Sequence, residues 1–217
     1  MIKAIIFDFD DTLIATIKGA YEKHMVVGRK LGMPKVSRRR FLECWGPPWQ
    51  KLLPMLWDDV SYSDFKKTYI NMFEKHSKYT MIKGARQTLE KLAKKGYPLY
   101  ILTSRDKTTL AKVMKYLNLN SHFIGIHAME HGKFHKPDPR VFTGFLRKHK
   151  LKAKECLYIG DLTIDYQAAS NAGLQHVSVT TGSHNKAKFL KEGIKSTTIL
   201  RSVKDLPTWL EKNYGKS

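Results

Sequence analysis

Lys3-Ala4-Ile5-Ile6-Phe7-Asp8-Phe9-Asp10-Asp11-Thr12 is the stretch on which the fold turns. Apart from Lys3 and Asp8, residues 2–9 are apolar and rich in isoleucine. A strand with one wet face would alternate polar and apolar residues, whereas a continuous run suits a strand buried on both faces of a parallel sheet. The run then enters a cluster of carboxylates, Asp8, Asp10 and Asp11. In a doubly wound sheet ligands bind beyond the carboxyl ends of the strands, so acids placed there are candidates for chemistry. An Asp-rich surface turn is the plain alternative. The apolar run in front weighs against it.

Outward from this stretch, apolar runs at 98–103, 123–127, 156–160, 175–180 and 197–200 predict further strands. Helical spacing fills the intervals. Residues 84–95 place Ala85, Leu89, Leu92 and Ala93 on one face and stop at Gly96. Residues 107–117 carry Leu110, Val113, Met114 and Leu117 at steps of three or four. Helices over 140–149, 165–172 and 205–212 complete an alternation that predicts an α/β fold with a doubly wound, mainly parallel sheet. Residues 14–82 break the alternation and read as helices over 15–31, 37–44, 50–57 and 63–77. A turn, Trp45-Gly46-Pro47-Pro48-Trp49, sits in their middle. The expected organisation is a core of residues 1–13 and 83–217 with an all-helical insert at 14–82.

Three more polar motifs follow predicted strands or open predicted helices. Thr103-Ser104 follows Leu99-Tyr100-Ile101-Leu102, and Lys136 precedes Pro137-Asp138-Pro139. Gly160-Asp161, with Asp165 one helical turn on, follows Leu157-Tyr158-Ile159. The predicted sheet would bring Asp8, Thr103 and Asp161 to one edge. Each motif alone is weak. Together and in this order they resemble the haloacid dehalogenase-like hydrolase superfamily, in the branch of phosphoglycolate phosphatases and β-phosphoglucomutases. The resemblance covers nearly the whole chain and is weakest over residues 15–80. It implies a Rossmann-like core, a helical cap after the first strand and a magnesium-dependent phosphatase with an aspartate nucleophile.

Phosphate esters resist attack because nucleophile and phosphoryl group are both anionic, so a site must neutralise charge, align the attack and protonate the leaving alcohol. By the resemblance, Asp8 is the nucleophile and Asp10 the acid toward the leaving group, then the base for water. Thr103 and Ser104 hold phosphate oxygens, and Lys136 balances charge on nucleophile and phosphoryl group. Asp8 and Asp161 supply magnesium ligands with the backbone carbonyl of Asp10, while Asp165 is a ligand through water or a partner for Lys136. Asp11 matches no functional position and reads as a bystander or a cap. The dehalogenase branch lacks an acid at the place of Asp10, which favours phosphoryl chemistry here. A phosphomutase, a phosphatase for nucleic-acid ends and an idle nucleic-acid binder are the competing readings.

Composition bounds the rest. The 217 residues are 42% hydrophobic and 11% aromatic, ample for a folded core. No apolar run approaches the length of a membrane span, and the N-terminal run is too short for a signal peptide, so a cytoplasmic enzyme without membrane contact is expected. Cys44 and Cys156 lack metal-type spacing and read as free thiols. Thirty-nine Lys and Arg against nineteen Asp and Glu give a net charge of +20, spread along the chain with one compact run at Arg38-Arg39-Arg40. Such a field attracts anions: a small phosphorylated metabolite is the expected partner, with nucleic acid a second possibility. His127, His131 and His135 are four apart, yet Gly132 and Pro137 argue against one helix carrying all three. Trp45, Trp49, Met55 and Trp57 read first as the core of the insert. The turn 45–49 stands where the resemblance places a loop that faces the site and selects substrate.

Overall fold

The computed structural model describes residues 1–73 and 78–215. Six parallel strands form one sheet in the order β3-β2-β1-β4-β5-β6, with β1 Ala4–Phe7, β2 Leu99–Leu102, β3 Gly125–His127, β4 Cys156–Gly160, β5 Gln175–Val179 and β6 Ile199–Leu200. The apolar strand β1 sits in the middle, paired at its edges with β2 and β4, and helices cover both of its faces. Ile5 and Phe7 pack on one side with Leu89, Leu92, Leu110 and Val113, from helices α5 (Ala85–Lys94) and α6 (Lys107–Tyr116). Ala4 and Ile6 pack on the other with Phe142, Phe145, Ala168 and Ala169, from α7 (Val141–Lys148) and α8 (Thr163–Asn171). This two-sided burial is why the run does not alternate.

The strand order reverses around β1, the point where a doubly wound sheet opens a crevice at its carboxyl edge. Several elements differ from expectation at their ends. The ladder stops at Phe7, so Asp8 and Asp10 lie on a bend and face different partners. Residues 196–198 form a tight turn before a two-residue β6. A helix the apolar pattern does not reveal, α9 (Lys186–Lys191), buries only Phe189 and starts at Asn185, whose side chain accepts from the amide of Lys188 at 2.9 Å. The chain closes with α10 (Leu206–Tyr214).

Between β1 and α5 come four helices, α1 (Ile17–Lys30), α2 (Arg38–Cys44), α3 (Trp49–Leu56) and α4 (Tyr62–Phe73). The part of the expected fourth helix beyond Phe73 lies outside the described residues. The four helices bury a cluster of their own, built on Val27, Leu53, Trp57 and Phe65. Trp57 meets its expectation: it is buried, and its indole donates to the carbonyl of Pro34 at 2.8 Å. Met55 does not, being exposed at the surface. Trp57→Ala should therefore destabilise the fold by about 3–5 kcal/mol, read as a lower urea midpoint; an unchanged midpoint would contradict this packing.

The two connections between this helical segment and the sheet run side by side. Ala15 N donates to Thr80 O at 2.9 Å, Ile82 N to Leu13 O at 2.8 Å, and Ile14 pairs with Met81 in an antiparallel bridge. Both cysteines are buried and free, and no helix among the described residues is long and apolar enough to cross a membrane.

Candidate active site

Asp8 leaves the end of β1, its amide donating to Ile159 O at 2.8 Å, and the residue is 7% exposed. The buried Lys136 ammonium donates to Asp8 Oδ1 at 2.6 Å and lies 2.8 Å from Asp165 Oδ1. Lys136 arrives on the loop before α7, followed by Pro137 in a cis peptide. Asp161 follows β4 and Asp165 sits in the first turn of α8, where it also accepts from the amide of Leu162 at 3.0 Å. A ring-face contact adds to this: the Lys136 ammonium lies 5.2 Å from the Tyr158 ring centre. The Tyr158 hydroxyl donates to Leu102 O at 3.0 Å and lies 3.3 Å from Asp165 Oδ1, fastening β2, β4 and α8 under the site.

One lysine faces three buried carboxylates. Asp8, Asp161 and Asp165 each offer an oxygen within 4.8 Å of the others. Burial pushes the Asp8 carboxyl up to about 7 against the pull of Lys136. Burial, then the charges of Asp165 and Asp8, hold Asp161 well above the carboxylate range. Burial alone would lower Lys136, yet Asp165 and Asp8 raise it. Asp161 Oδ2 is buried with no hydrogen-bond partner among the described residues. Excess negative charge, hard oxygen donors and an orphaned carboxylate oxygen together fit a divalent cation.

The second half of the site faces the helical segment. Asp10 is turned away from Asp8: Thr16 donates its hydroxyl to Asp10 Oδ1 at 2.5 Å. Arg105 pairs with both Asp10 oxygens, its Nε at 3.0 Å from Oδ2 and its terminal amine on Oδ1. Burial would raise the Asp10 carboxyl, but the charge and hydrogen bonds of Arg105 hold it below the usual range. The carboxylate of Asp10 is thus apart from the cluster of Asp8, Asp161 and Asp165. Asp11 is a cap, accepting from the amides of Thr16 and Ile17 at 2.8 and 2.9 Å where α1 begins. Thr103 is buried at the end of β2, and its hydroxyl accepts from Arg105 N at 3.2 Å. Ser104 lines the same cleft half-exposed.

All seven predicted site residues, Asp8, Asp10, Thr103, Ser104, Lys136, Asp161 and Asp165, line one cavity of about 170 Å³. The turn 45–49 forms part of its opposite wall, and Gly46 comes so close to Leu162 that a Cβ there would lie 2.5 Å from Leu162 Cδ1. Trp45 and Trp49 are half-buried along this wall, so they are less a private core of the insert than the sequence suggests. Arg105, Thr16, Tyr158 and His24 escaped the sequence reading. Arg105 had one signal, its place directly after Thr103-Ser104 at a strand end. The three spaced histidines do not share a helix: His127 ends β3, His131 lies in a short turn and His135 follows in a loop.

The haloacid dehalogenase-like hydrolase family matches residues 5–179. Among curated relatives, the pyrophosphatase PpaX of Halalkalibacterium halodurans is 25% identical, with 94% of this chain and 95% of the relative covered. A phosphoglycolate phosphatase of Vibrio parahaemolyticus is 24% identical, with 83% and 85% covered. A hydrolase from Pseudomonas syringae shares the fold at a TM-score of 0.80 with 22% identity, covering 97% of this chain and 99% of that one. A match over most of the chain, on a sheet that gathers the four motifs at one edge, makes the protein a member of the haloacid dehalogenase-like hydrolase family.

Proposed function

We propose that the protein is a magnesium-dependent phosphatase that hydrolyses a small phosphomonoester through an aspartyl-phosphate. The observation that carries this reading is the buried meeting of Asp8, Lys136, Asp161 and Asp165 at the carboxyl edge of the sheet. The names of the bacterial relatives, a pyrophosphatase and a phosphoglycolate phosphatase, support phosphoryl chemistry. In this reading residues 14–82 are the cap, and residues 1–13 with 83–217 are the catalytic core.

Asp8 and Asp161, with the backbone carbonyl of Asp10, would hold the magnesium ion, which when bound supplies positive charge to the phosphoryl oxygens. Asp165, 2.8 Å from Lys136, orients that lysine and closes the anionic cluster. Thr103 and Ser104 bind phosphate oxygens, and Lys136 offsets charge on the nucleophile and on the group in transfer. Asp8 attacks phosphorus, and the bond to the leaving alcohol breaks as Asp10 protonates its oxygen. Asp10 then takes a proton from water, whose oxygen attacks phosphorus and frees Asp8 and inorganic phosphate. To act, Asp10 must leave Arg105 and Thr16, which hold it in the present arrangement.

The test is phosphate release from sugar phosphates, phosphoglycolate, pyrophosphate, nucleotides and phosphorylated oligonucleotides, with magnesium and with chelator. Magnesium-dependent release from a small ester supports the reading, and none from any member sinks it. Best turnover on oligonucleotide ends with steep salt dependence would move the substrate to nucleic acid. Asp10→Asn should lower kcat/KM, which reports transfer to Asp8, about 10²- to 10⁴-fold on alkyl esters and far less on p-nitrophenyl phosphate, whose leaving group departs without a proton. Equal losses on both would remove the general-acid role.

A further inference from the structure

The cavity lining carries positive charge beyond Lys136: Lys23 on α1, Arg105 after β2 and the exposed Lys78. Lys23 is half-buried, its ammonium 5.7 Å from the centre of the Phe73 ring, with no carboxylate partner among the described residues. Burial, then the charge of Arg105, lowers the Lys23 ammonium below its usual range, so the two cations stand close enough to repel. Outside the cluster of Asp8, Asp161 and Asp165, two acids line the cavity, and both are engaged. Asp10 is held by Arg105. Asp106 caps α6, accepting from the amide of Thr109 at 3.1 Å, and lies 3.6 Å from Lys66. Neither answers Lys23.

Asp10 ties this charge to the reaction. The carboxylate that Arg105 grips is the one that must reach the leaving oxygen, so the guanidinium stands one side-chain swing from that oxygen. When Asp10 departs, Arg105 loses its carboxylate while its side chain is only 16% exposed. A buried charge stripped of its partner is strongly unfavourable. An ester with a neutral leaving group leaves that charge unanswered, whereas an anionic leaving group supplies the missing partner. The phosphoryl group and the cation share the cavity of about 170 Å³, so the leaving group itself is short.

We propose that Lys23 and Arg105 form a subsite for a second anionic group, a carboxylate or a phosphate on a short leaving group, which takes Arg105 over from Asp10. This inference rests on the phosphatase reading and narrows it to esters with two anionic groups. The pair sets specificity twice, by binding the leaving group and by releasing Asp10 to protonate it.

The test compares short esters: phosphoglycolate beside its neutral carboxamide, and the bisphosphate of ethane-1,2-diol beside the monophosphate. The wild type should prefer an anionic member over its neutral counterpart by about 10²-fold or more in kcat/KM. The pair with the larger ratio identifies the group as carboxylate or phosphate. Lys23→Gln should cut that ratio about tenfold or more, and Lys23→Arg, which keeps the charge, should restore it. The melting temperature of Lys23→Gln should not fall, since Lys23 has no carboxylate to lose. Lys18→Gln, which removes an exposed charge from the same helix, should leave the ratio alone. A wild-type ratio near one, a ratio that Lys23→Gln does not move, or equal falls in Lys23→Gln and Lys18→Gln overturn the subsite while the phosphatase reading stands. If no ester is turned over, that reading fails instead, and the subsite is judged by binding. Titration calorimetry should then show phosphonoacetate binding more tightly than its carboxamide to the wild type, with the difference shrinking in Lys23→Gln. An equal difference in both proteins rejects the subsite.

Discussion

Asp8→Asn should abolish phosphate release, by about 10⁴-fold or more, and at the same time raise the melting temperature measured at pH 8 without metal. The first effect follows because an amide cannot form the acyl phosphate. The second comes from proton linkage. The Asp8 carboxyl titrates near 7 in the folded protein against an ordinary 3.8, because burial opposes its charge. The folded chain therefore holds a proton that the unfolded chain releases between those values, and stability declines as pH rises from 3.8 through 7. At pH 8 the ionised group opposes folding, so its amide removes the penalty and the gain should fade below pH 5. Magnesium should reverse the ranking, since a ligand of the native state stabilises the wild type and has one carboxylate fewer to grip in the variant. A variant that retains turnover, or one whose melting temperature falls at pH 8 without metal, contradicts this account.

Lys136→Met should damage the fold and the reaction together. The ammonium is bonded to Asp8 and lies against Asp165, all three buried. Removing one partner from a buried ionic cluster costs about 3–5 kcal/mol, because the remaining charges stay in place unpaired. The loss should be larger at pH 8 than at pH 5.5, where the carboxyls can protonate, and urea midpoints at the two pH values measure it. Turnover should fall about 10³-fold, the scale seen when a single charge-stabilising group is removed from a phosphoryl or acyl transfer site. Full stability at both pH values would show that the three side chains do not form one electrostatic unit.

What the sequence disclosed was what depends on local order along the chain. The apolar runs placed β1, β2 and β4, and the polar residues that end them could be assigned to one edge because parallel strands share a direction. Asp8, Thr103 and Asp161 are legible for that reason. What stayed hidden depends on pairings that no spacing encodes. Arg105 is one of thirty-nine basic residues, and its partner Asp10 lies 95 positions away. Tyr158 sits inside a strand and reads as core until its hydroxyl is seen between Leu102 and Asp165. The helix α9 escaped because four of the residues from 186 to 191 are lysine or alanine and only Phe189 is buried. His24 could be predicted to lie on a helix, but the ring of aromatics around it comes from α2, α3 and α4 and from the turn at Trp45.

The contact between Ile14 and Met81 turns the helical segment into an exchangeable cassette. Leaving and rejoining the sheet at one doorway, the segment can be cut out and the chain ends still meet, since Leu13 and Ile82 are already joined by a hydrogen bond. Swapping it would ask no strand to move. Descent or engineering can therefore exchange these helices while the carboxyl edge of the sheet, with its gathered acids and lysine, stays as it is.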